Sequence, residues 1–310
     1  MKGVQVSIVM PVYNEANYLD KTLRSILSQE EVNLELIVVN DGSSDGSLHI
    51  IESIANQDDR VILISQSNKG ITNALINGCK AATGEFIARQ DAGDWSLPGR
   101  LKAQLEAFHS QPEAVLCSTG TRYYSERQEL LFEATLSPEE ANLGLIPNSI
   151  EEIKGPSHHG CVMFRREAYE ECGGYRPEFL VAQDLDLWTR LMNFGKHICL
   201  PEVYYEAVLR ENAISSKHKN LQDIARKHIF ECMQLRRTIG DDSEYLKQLN
   251  EGGLDVSKVT NNTESEHQYF LGSILFNHQP KNSRYYFRKV LRARPWHIKS
   301  WLKLIRSYWF

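Results

Sequence analysis

Two aspartates three residues apart follow a short apolar segment in the first third of the chain. Residues 85–88 predict a strand, and Asp91 and Asp94 come just after it. In open α/β sheets, ligands bind beyond the carboxyl ends of the strands. Carboxylate oxygens at such a place suit a divalent cation, Mn²⁺ or Mg²⁺, that carries a phosphate ester. The alternative interpretation is an acidic turn before a helix, with Ser96 as the N-cap and Pro98 near the first helical position.

A regular alternation of apolar strands and helical patterns surrounds these aspartates. The predicted strands of the first 118 residues are 5–12, 34–39, 61–64, 86–88 and 114–118. Segments with apolar residues at helical spacing separate them. Nearly all-apolar strands such as 34–39 are expected when helices cover both faces of a parallel sheet. The sequence therefore predicts an α/β protein with a doubly wound, mostly parallel, Rossmann-like sheet.

The second half of the chain is less regular. Residues 121–156 are polar and poorly periodic, which predicts a variable loop or a lid over a site. Closing strands are predicted at 198–200 and 203–207, and helices from residue 217 to the end. Residues 240–265 contain several turn-forming residues and predict a flexible connection.

Composition and cysteine placement narrow the class of protein. A net charge of −5 on 310 residues gives no general signal for nucleic-acid binding. The six cysteines form no C-x-x-C pair and lie mostly in apolar runs, which predicts buried free thiols in a reducing compartment. The sequence shows neither a membrane-spanning run nor a signal-peptide core. We expect a cytoplasmic protein.

Five motifs occur in one order along the chain, whereas no G-x-G-x-x-G or P-loop follows the first strand. The motifs are Pro11-Val12-Tyr13-Asn14-Glu15, Asn40-Asp41-Gly42-Ser43-Ser44-Asp45, Asn68-Lys69-Gly70, Asp91-Ala92-Gly93-Asp94 and Gln183-Asp184-Leu185-Asp186. This series resembles the inverting family 2 glycosyltransferases, which have a GT-A-type domain for nucleotide-diphospho-sugars. The resemblance implies such a domain over residues 1–215, and the helical pattern predicts a C-terminal extension over 216–310.

The resemblance implies a set of nucleotide-binding residues, namely Pro11, Val12, Tyr13, Glu15, Asp41, Lys69 and Asp91. The turn at 11–13 would hold the nucleobase, with Tyr13 offering a face for stacking, and Asp41 would accept a hydrogen bond from the base. Each of three residues has an alternative role. Asp41 would be a turn residue that bonds its own backbone, Glu15 an acid favoured by the helix dipole, and Lys69 a solvated loop lysine.

The acidic motif departs from the family pattern. Family members usually have Asp-x-Asp, and here the second position is Gly93. We expect Asp94, or a water above Gly93, to complete the coordination of a cation by Asp91, because glycine lets the backbone approach closely. Cationic side chains such as Lys69 or Arg89 are the alternative means of neutralising a departing nucleoside diphosphate.

Asp184 matches the catalytic aspartate of the family, the general base that takes the proton of the attacking hydroxyl. The preceding residue is Gln183 where the family usually has Glu, so a like charge is missing beside the base. The alternative is a structural acid at a helix N-terminus, which is the role we expect for Asp186. By resemblance, His159 and Gly174 line the donor and acceptor sites; a plain loop histidine and a tight turn are the alternatives.

The end of the chain combines positive charge with aromatic side chains. From Lys281 to Phe310 there are nine Lys or Arg residues, eight aromatic residues and no acids. This composition predicts amphipathic helices that lie on an anionic membrane surface. A helical cap that packs its aromatic side chains onto the preceding domain is the alternative.

Together these features predict a metal-dependent, inverting glycosyltransferase. By resemblance it would move a sugar, most often from a UDP-sugar, to a glycan or lipid-linked acceptor in cell-surface polysaccharide biosynthesis. We expect it in the cytoplasm, at the inner face of the cytoplasmic membrane. The alternative is a catalytically weak nucleotide-sugar-binding or scaffold protein, which Gly93 and Gln183 suggest because both depart from the family pattern.

Overall fold

A computed structural model describes residues 3–210, 219–252 and 264–309. Its strands are β1 (Val6–Val12), β2 (Leu34–Asp41), β3 (Val61–Gln66), β4 (Phe86–Arg89), β5 (Trp95–Ser96), β6 (Ala114–Ser125), β7 (Leu130–Ala134), β8 (Met163–Arg165) and β9 (Lys196–Leu209). Its helices are α1 (Ala16–Leu27), α2 (Ser47–Ala55), α3 (Ile71–Ala81), α4 (Arg100–Ser110), α5 (Pro138–Leu143), α6 (Arg166–Glu171), α7 (Gln183–Leu191), α8 (Lys219–Ile239), α9 (Ser243–Gly252), α10 (Glu264–Leu275), α11 (Pro280–Ala293) and α12 (Ile298–Arg306). Short 3₁₀ turns cover Ile150–Glu152 and His159–Cys161.

The strands form one mixed sheet in the order β3-β2-β1-β4-β8-β6-β9-β5, with β7 paired to β6. Strands β1 to β4 pair in parallel, and so do β6 and β9. Strands β5, β7 and β8 pair antiparallel with their neighbours. The predicted α/β class is confirmed, and the strands that carry the predicted nucleotide-binding residues are parallel neighbours.

Helices cover both faces of the central strands. In β1, Val9 belongs to one buried apolar cluster, whereas Ile8 and Met10 belong to another on the opposite face. Successive strand residues point to opposite faces, so an all-apolar strand is buried on both sides. The registers place Val12 beside Asn40, and Val9 beside Arg89. The loops that follow β1, β2 and β4 therefore lie together along one edge of the sheet.

Two local predictions are wrong because the chain makes strand pairs between distant residues. The predicted loop over 121–156 instead continues β6 to Ser125 and returns as β7, followed by α5. Thr121 is polar but buried, since β6 pairs with β7 and β9. Ser96 is not an N-cap: it lies in β5 opposite Tyr205, and α4 begins only at Arg100.

The predicted helical C-terminal part is confirmed in the described residues. Helix α8 packs its apolar side chains against Phe179 and Val181, and α10 and α11 contribute to the main core. Helix α9 lies within the predicted connection 240–265, of which residues 253–263 are outside the described residues, as is the predicted domain boundary at 215/216. None of the helices described is both long and apolar enough to cross a membrane. The six cysteines are free thiols and five are buried, as predicted.

Candidate active site

The loop after β1 presents an exposed aromatic ring at the edge of the sheet. Tyr13 is 51% exposed, whereas Val12 is buried and Pro11 partly buried. The backbone N–H of Glu15 donates to Ser47 Oγ at 2.9 Å, which ties this loop to the start of α2. The ring of Tyr13 is therefore accessible to a stacking partner. The role of the 11–13 turn in holding a nucleobase stays a prediction.

Asp41, the last residue of β2, is buried and fixes the loop before α3. Its Oδ1 accepts hydrogen bonds from Gln66 Nε2 (2.7 Å) and Lys69 N (2.8 Å), and its Oδ2 accepts one from Gly70 N (2.9 Å). These contacts give the carboxylate a role in holding a neighbouring loop. The Lys69 side chain is exposed. Base recognition by Asp41 and diphosphate binding by Lys69 stay predictions.

A buried arginine controls the ionisation of Asp91. Arg89, at the end of β4, pairs with Asp91 Oδ1 and donates to Val9 O at 2.6 Å. Burial acts to raise the pKa of Asp91, but the positive charge of Arg89, with His158 and His159 nearby, outweighs it and lowers the pKa below its ordinary value. Asp91 is therefore an ionised carboxylate in the folded protein.

Asp94 has the opposite electrostatic character. It is buried, with Oδ2 accepting from the Tyr205 hydroxyl (3.2 Å) and Oδ1 from Val208 N (3.1 Å). Burial and the negative charge of Asp91 raise the pKa of Asp94 well above its ordinary value. The two predicted cation ligands therefore differ, with one held ionised and the other favouring its protonated form.

The ring of His158 lies between these two aspartates. Its Nδ1 is 3.7 Å from Asp91 Oδ2 and its Nε2 is 3.6 Å from Asp94 Oδ2. One potential ligand atom from each of the three residues lies within 4.8 Å of the others. Gly160 N–H donates to Nδ1 at 3.0 Å, and from this bond we assign the neutral proton to Nε2. In this tautomer the ring directs its Nε2–H toward Asp94, and Nε2 would ligate a cation only after a change of tautomer.

The donor set fits a divalent cation. Asp91 and Asp94 supply oxygens, which Mg²⁺ and Mn²⁺ prefer, and such ions accept only one or two protein carboxylates when the remaining ligands are waters. His158 lies 3.6 Å from Asp94, outside hydrogen-bond distance, and fits as a neighbour that could orient this carboxyl once a cation is bound. Sequence analysis did not select His158; its only signal was the position beside His159.

His159 and Gly174 have local structural contacts. His159 Nε2 pairs with the Tyr175 hydroxyl at 2.8 Å, and burial with the Arg89 charge lowers the pKa of this histidine well below its ordinary value. Gly174 has φ +67°, and a Cβ at this position would lie 2.8 Å from the hydroxyl oxygen of Tyr169. The tight turn therefore requires glycine. Roles for both residues at the donor or acceptor site stay predictions.

A guanidinium group occupies the space beside Gly93. Arg210 Nη2 donates to Gly93 O at 2.8 Å, and Nη1 donates to Glu15 Oε2 at 2.5 Å. Gly93 has φ +89°, and a Cβ there would lie 1.8 Å from Nη2. The guanidinium therefore fills the Cβ direction of Gly93, and a water that completes the coordination of a cation near Gly93 stays a prediction. Sequence analysis missed Arg210 because a single cation at a strand end, 117 residues away, gives no local signal.

Asp184 lies in the first turn of α7, close to the charges of Asp91 and Arg89. Its Oδ1 accepts from Leu185 N at 2.8 Å. Burial, together with the negative charge of Asp91, raises the pKa of Asp184 to about 6. Gln183 beside it is buried and uncharged. The neighbouring acid, Asp186, is fully buried in an ion pair within its own helix, in agreement with the structural role predicted for it.

Comparison with known proteins gives the family. Residues 7–173 match the sequence profile of Glycosyl transferase family 2. Over 223 residues the chain is 32% identical to the putative glycosyltransferase EpsE of Bacillus subtilis, covering 70% of this chain and 77% of EpsE. It is 30% identical over 203 residues to the amylovoran biosynthesis glycosyltransferase AmsE of Erwinia amylovora, covering 64% and 73%.

Solved structures agree with this fold. TarS 1–349 of S. aureus, in complex with UDP, superposes with a TM-score of 0.59 at 17% identity, covering 98% of this chain and 89% of TarS. The mannosyltransferase PcManGT of Pyrobaculum calidifontis, in complex with GDP-Man and Mn²⁺, gives 0.55 at 16% identity, covering 98% and 86%. These likenesses confirm the predicted GT-A-type fold. With a profile match over more than half its length, the chain belongs to glycosyl transferase family 2.

Proposed function

We propose that the protein transfers a sugar, with inversion, from a nucleotide-diphosphate sugar to a hydroxyl of a glycan or lipid-linked acceptor. The observation that carries this proposal is that Asp184 is buried within range of the Asp91 charge, and that Asp91 forms a cation-compatible cluster with Asp94 and His158. A proton acceptor and a cation-compatible carboxylate pair at one site are what inverting transfer needs. The name of the relative AmsE supports a setting in polysaccharide biosynthesis. The basic, aromatic end of the chain supports a membrane-bound acceptor.

In this proposal Asp184 takes the proton of the acceptor hydroxyl as its oxygen attacks the anomeric carbon. A pKa of about 6 suits the task, because the group is mostly ionised at neutral pH and still basic enough to accept a proton. Asp91, held ionised by Arg89, and Asp94 would hold Mn²⁺ or Mg²⁺. When bound, the cation would neutralise the charge that builds on the departing nucleoside diphosphate.

Arg210 supplies a second positive charge in this proposal. The family usually has an aspartate where this chain has Gly93, and the guanidinium occupies the space such a side chain would need. A guanidinium paired with Glu15 thus lies where the usual Asp-x-Asp pattern would have its second aspartate. This arrangement supports direct stabilisation of the leaving diphosphate by the protein.

A donor screen tests the proposal. Full-length protein is incubated with UDP- and GDP-sugars, Mn²⁺ and polysaccharide-repeat acceptors, and nucleotide release and product anomer are measured. We propose a UDP-sugar as donor and expect an inverted product. Asp184→Asn should lower transfer about 100- to 10,000-fold with nucleotide affinity unchanged, whereas the exposed Asp20→Asn should lower neither. Nucleotide binding without turnover on any donor would instead support the binding-only alternative.

A further inference from the structure

Helix α12 carries its apolar side chains on the face that points away from the protein. The helix buries few side chains, namely Ser300 and Leu304, with Ser307 buried just after the helix, and of these only Leu304 is large and apolar. The outward side chains of the helix are large, apolar and exposed: Ile298 (71%), Trp301 (47%), Leu302 (57%) and Ile305 (54%). At helical spacing these four residues form one stripe, which we call the outer face. Trp309, beyond the end of the helix, is 85% exposed as well. Helices that only pack on a protein show the opposite arrangement.

The aromatic residues of the tail divide between two roles. In α11, Tyr286 and Phe287 are buried, and the Tyr286 hydroxyl bonds Glu129 beside β7. These side chains fit the alternative of a cap on the preceding domain. Trp301 on the outer face and Trp309 beyond the helix are exposed instead. Helix α11 therefore anchors α12 to the protein and leaves the outer face in contact with solvent.

Positive charge borders the outer face. All 40 acidic residues of the chain precede residue 281, whereas residues 281–310 contain nine basic residues. Lys299, Lys303 and Arg306 lie at helical spacing along one side of the stripe. Lys299 and Arg306 are exposed. Apolar and indole side chains next to a row of cations match the layered chemistry of an anionic lipid surface, where phosphates lie above acyl chains.

We propose that the outer face of α12 docks on an anionic lipid bilayer, with its indole and aliphatic side chains at the headgroup boundary and Lys299 and Arg306 against lipid phosphates. This inference rests on the proposed function, because it specifies the surface by which the protein would reach a membrane-bound acceptor. Its readout, binding to vesicles, is separate from sugar transfer, so each proposal can fail alone. A lipid-linked acceptor would then be presented to a site already held at the surface.

Vesicle flotation tests the docking. Full-length protein is mixed with vesicles of equal parts phosphatidylglycerol and phosphatidylcholine, or of phosphatidylcholine alone. We expect binding to the anionic vesicles that weakens with added salt. Ile298→Ser with Ile305→Ser should reduce binding about tenfold, and Lys299→Gln with Arg306→Gln by about fivefold per charge removed. The matched control is Ile239→Ser, an isoleucine 70% exposed at the end of α8, which should bind as wild type.

Thermal unfolding of each variant checks that it folds. Analytical sedimentation measures whether the protein is a monomer or a dimer. Equal binding to both vesicle types, or unchanged binding by both double variants, would overturn the proposal. A second result would also overturn it: a wild-type dimer that does not bind vesicles and becomes monomeric when Ile298 and Ile305 are replaced. The outer face would then be a contact between two copies of the chain.

Discussion

Acidification below pH 6 should switch off sugar transfer by protonating Asp184. The pKa of this carboxyl is raised to about 6, first by burial and then by the negative charge of Asp91. Only the carboxylate can accept the acceptor's proton. In kcat/KM for the donor, which reports the enzyme before donor and cation bind, the rate constant should therefore be constant above pH 7 and fall tenfold per unit below the pKa, to about one tenth at pH 5.

The raised pKa of Asp184 also makes the free energy of unfolding depend on pH. Moving the pKa from 3.8 to about 6 corresponds to about 3 kcal/mol, at about 1.4 kcal/mol per unit. Between these values the folded protein holds a proton that the unfolded chain releases. The contribution of Asp184 to the free energy of unfolding is thus complete below pH 4 and is lost as the pH rises through 6. Asp184→Asn cannot titrate, so the wild type should lose about 3 kcal/mol relative to this variant between pH 4 and 7.

Two measurements separate the base from other titrating groups. Nucleotide release is followed from pH 5 to 8 while calorimetry gives the nucleotide Kd at each pH, since protonation of Asp94 would weaken binding rather than the chemical step. Urea unfolding of wild type and Asp184→Asn gives the stability difference. A kcat/KM profile that is flat down to pH 5 with constant nucleotide Kd, or a variant with wild-type turnover, would refute the assignment of Asp184 as base.

Three further predictions concern neighbouring contacts. His158→Ala should weaken Mn²⁺ binding about tenfold by calorimetry, whereas His158→Gln, which keeps an N–H donor, should retain most of it; equal losses would mean direct ligation. Gly93→Ala should lower the free energy of unfolding by about 3 kcal/mol, because the positive φ becomes strained and the Arg210 guanidinium is displaced. In an Arg210→Ala background the same change should cost about half as much. If urea unfolding shows that the two substitutions are additive, the side chain at 93 does not contact Arg210. Asp242→Ala should cost about 3 kcal/mol, because the buried carboxylate pairs with Arg176, and an unchanged Tm would contradict this.

The sequence predicted what depends on local periodicity. Strands β1, β2 and β4 are mostly apolar, and the polar residues at and after their ends could be placed at one edge of the sheet. What depends on distant pairing was not predictable. Ser96 has the local features of an N-cap, but pairing with Tyr205 makes it a strand residue. Arg210 reaches Gly93 only because β9 runs beside β5 and ends there.

The charge of Asp91 connects cation binding to the state of the base. Arg89 keeps Asp91 ionised, and that negative charge contributes to the raised pKa values of both Asp94 and Asp184. A cation held by Asp91 and Asp94 would offset this charge and so lower the pKa of Asp184. Loading of the donor with its cation would thereby favour the ionised base. Because Gln183 carries no charge, Asp91 is the neighbour through which cation binding would change the pKa of Asp184. A glutamate at position 183 would add a negative charge that the cation does not offset, and would weaken this effect.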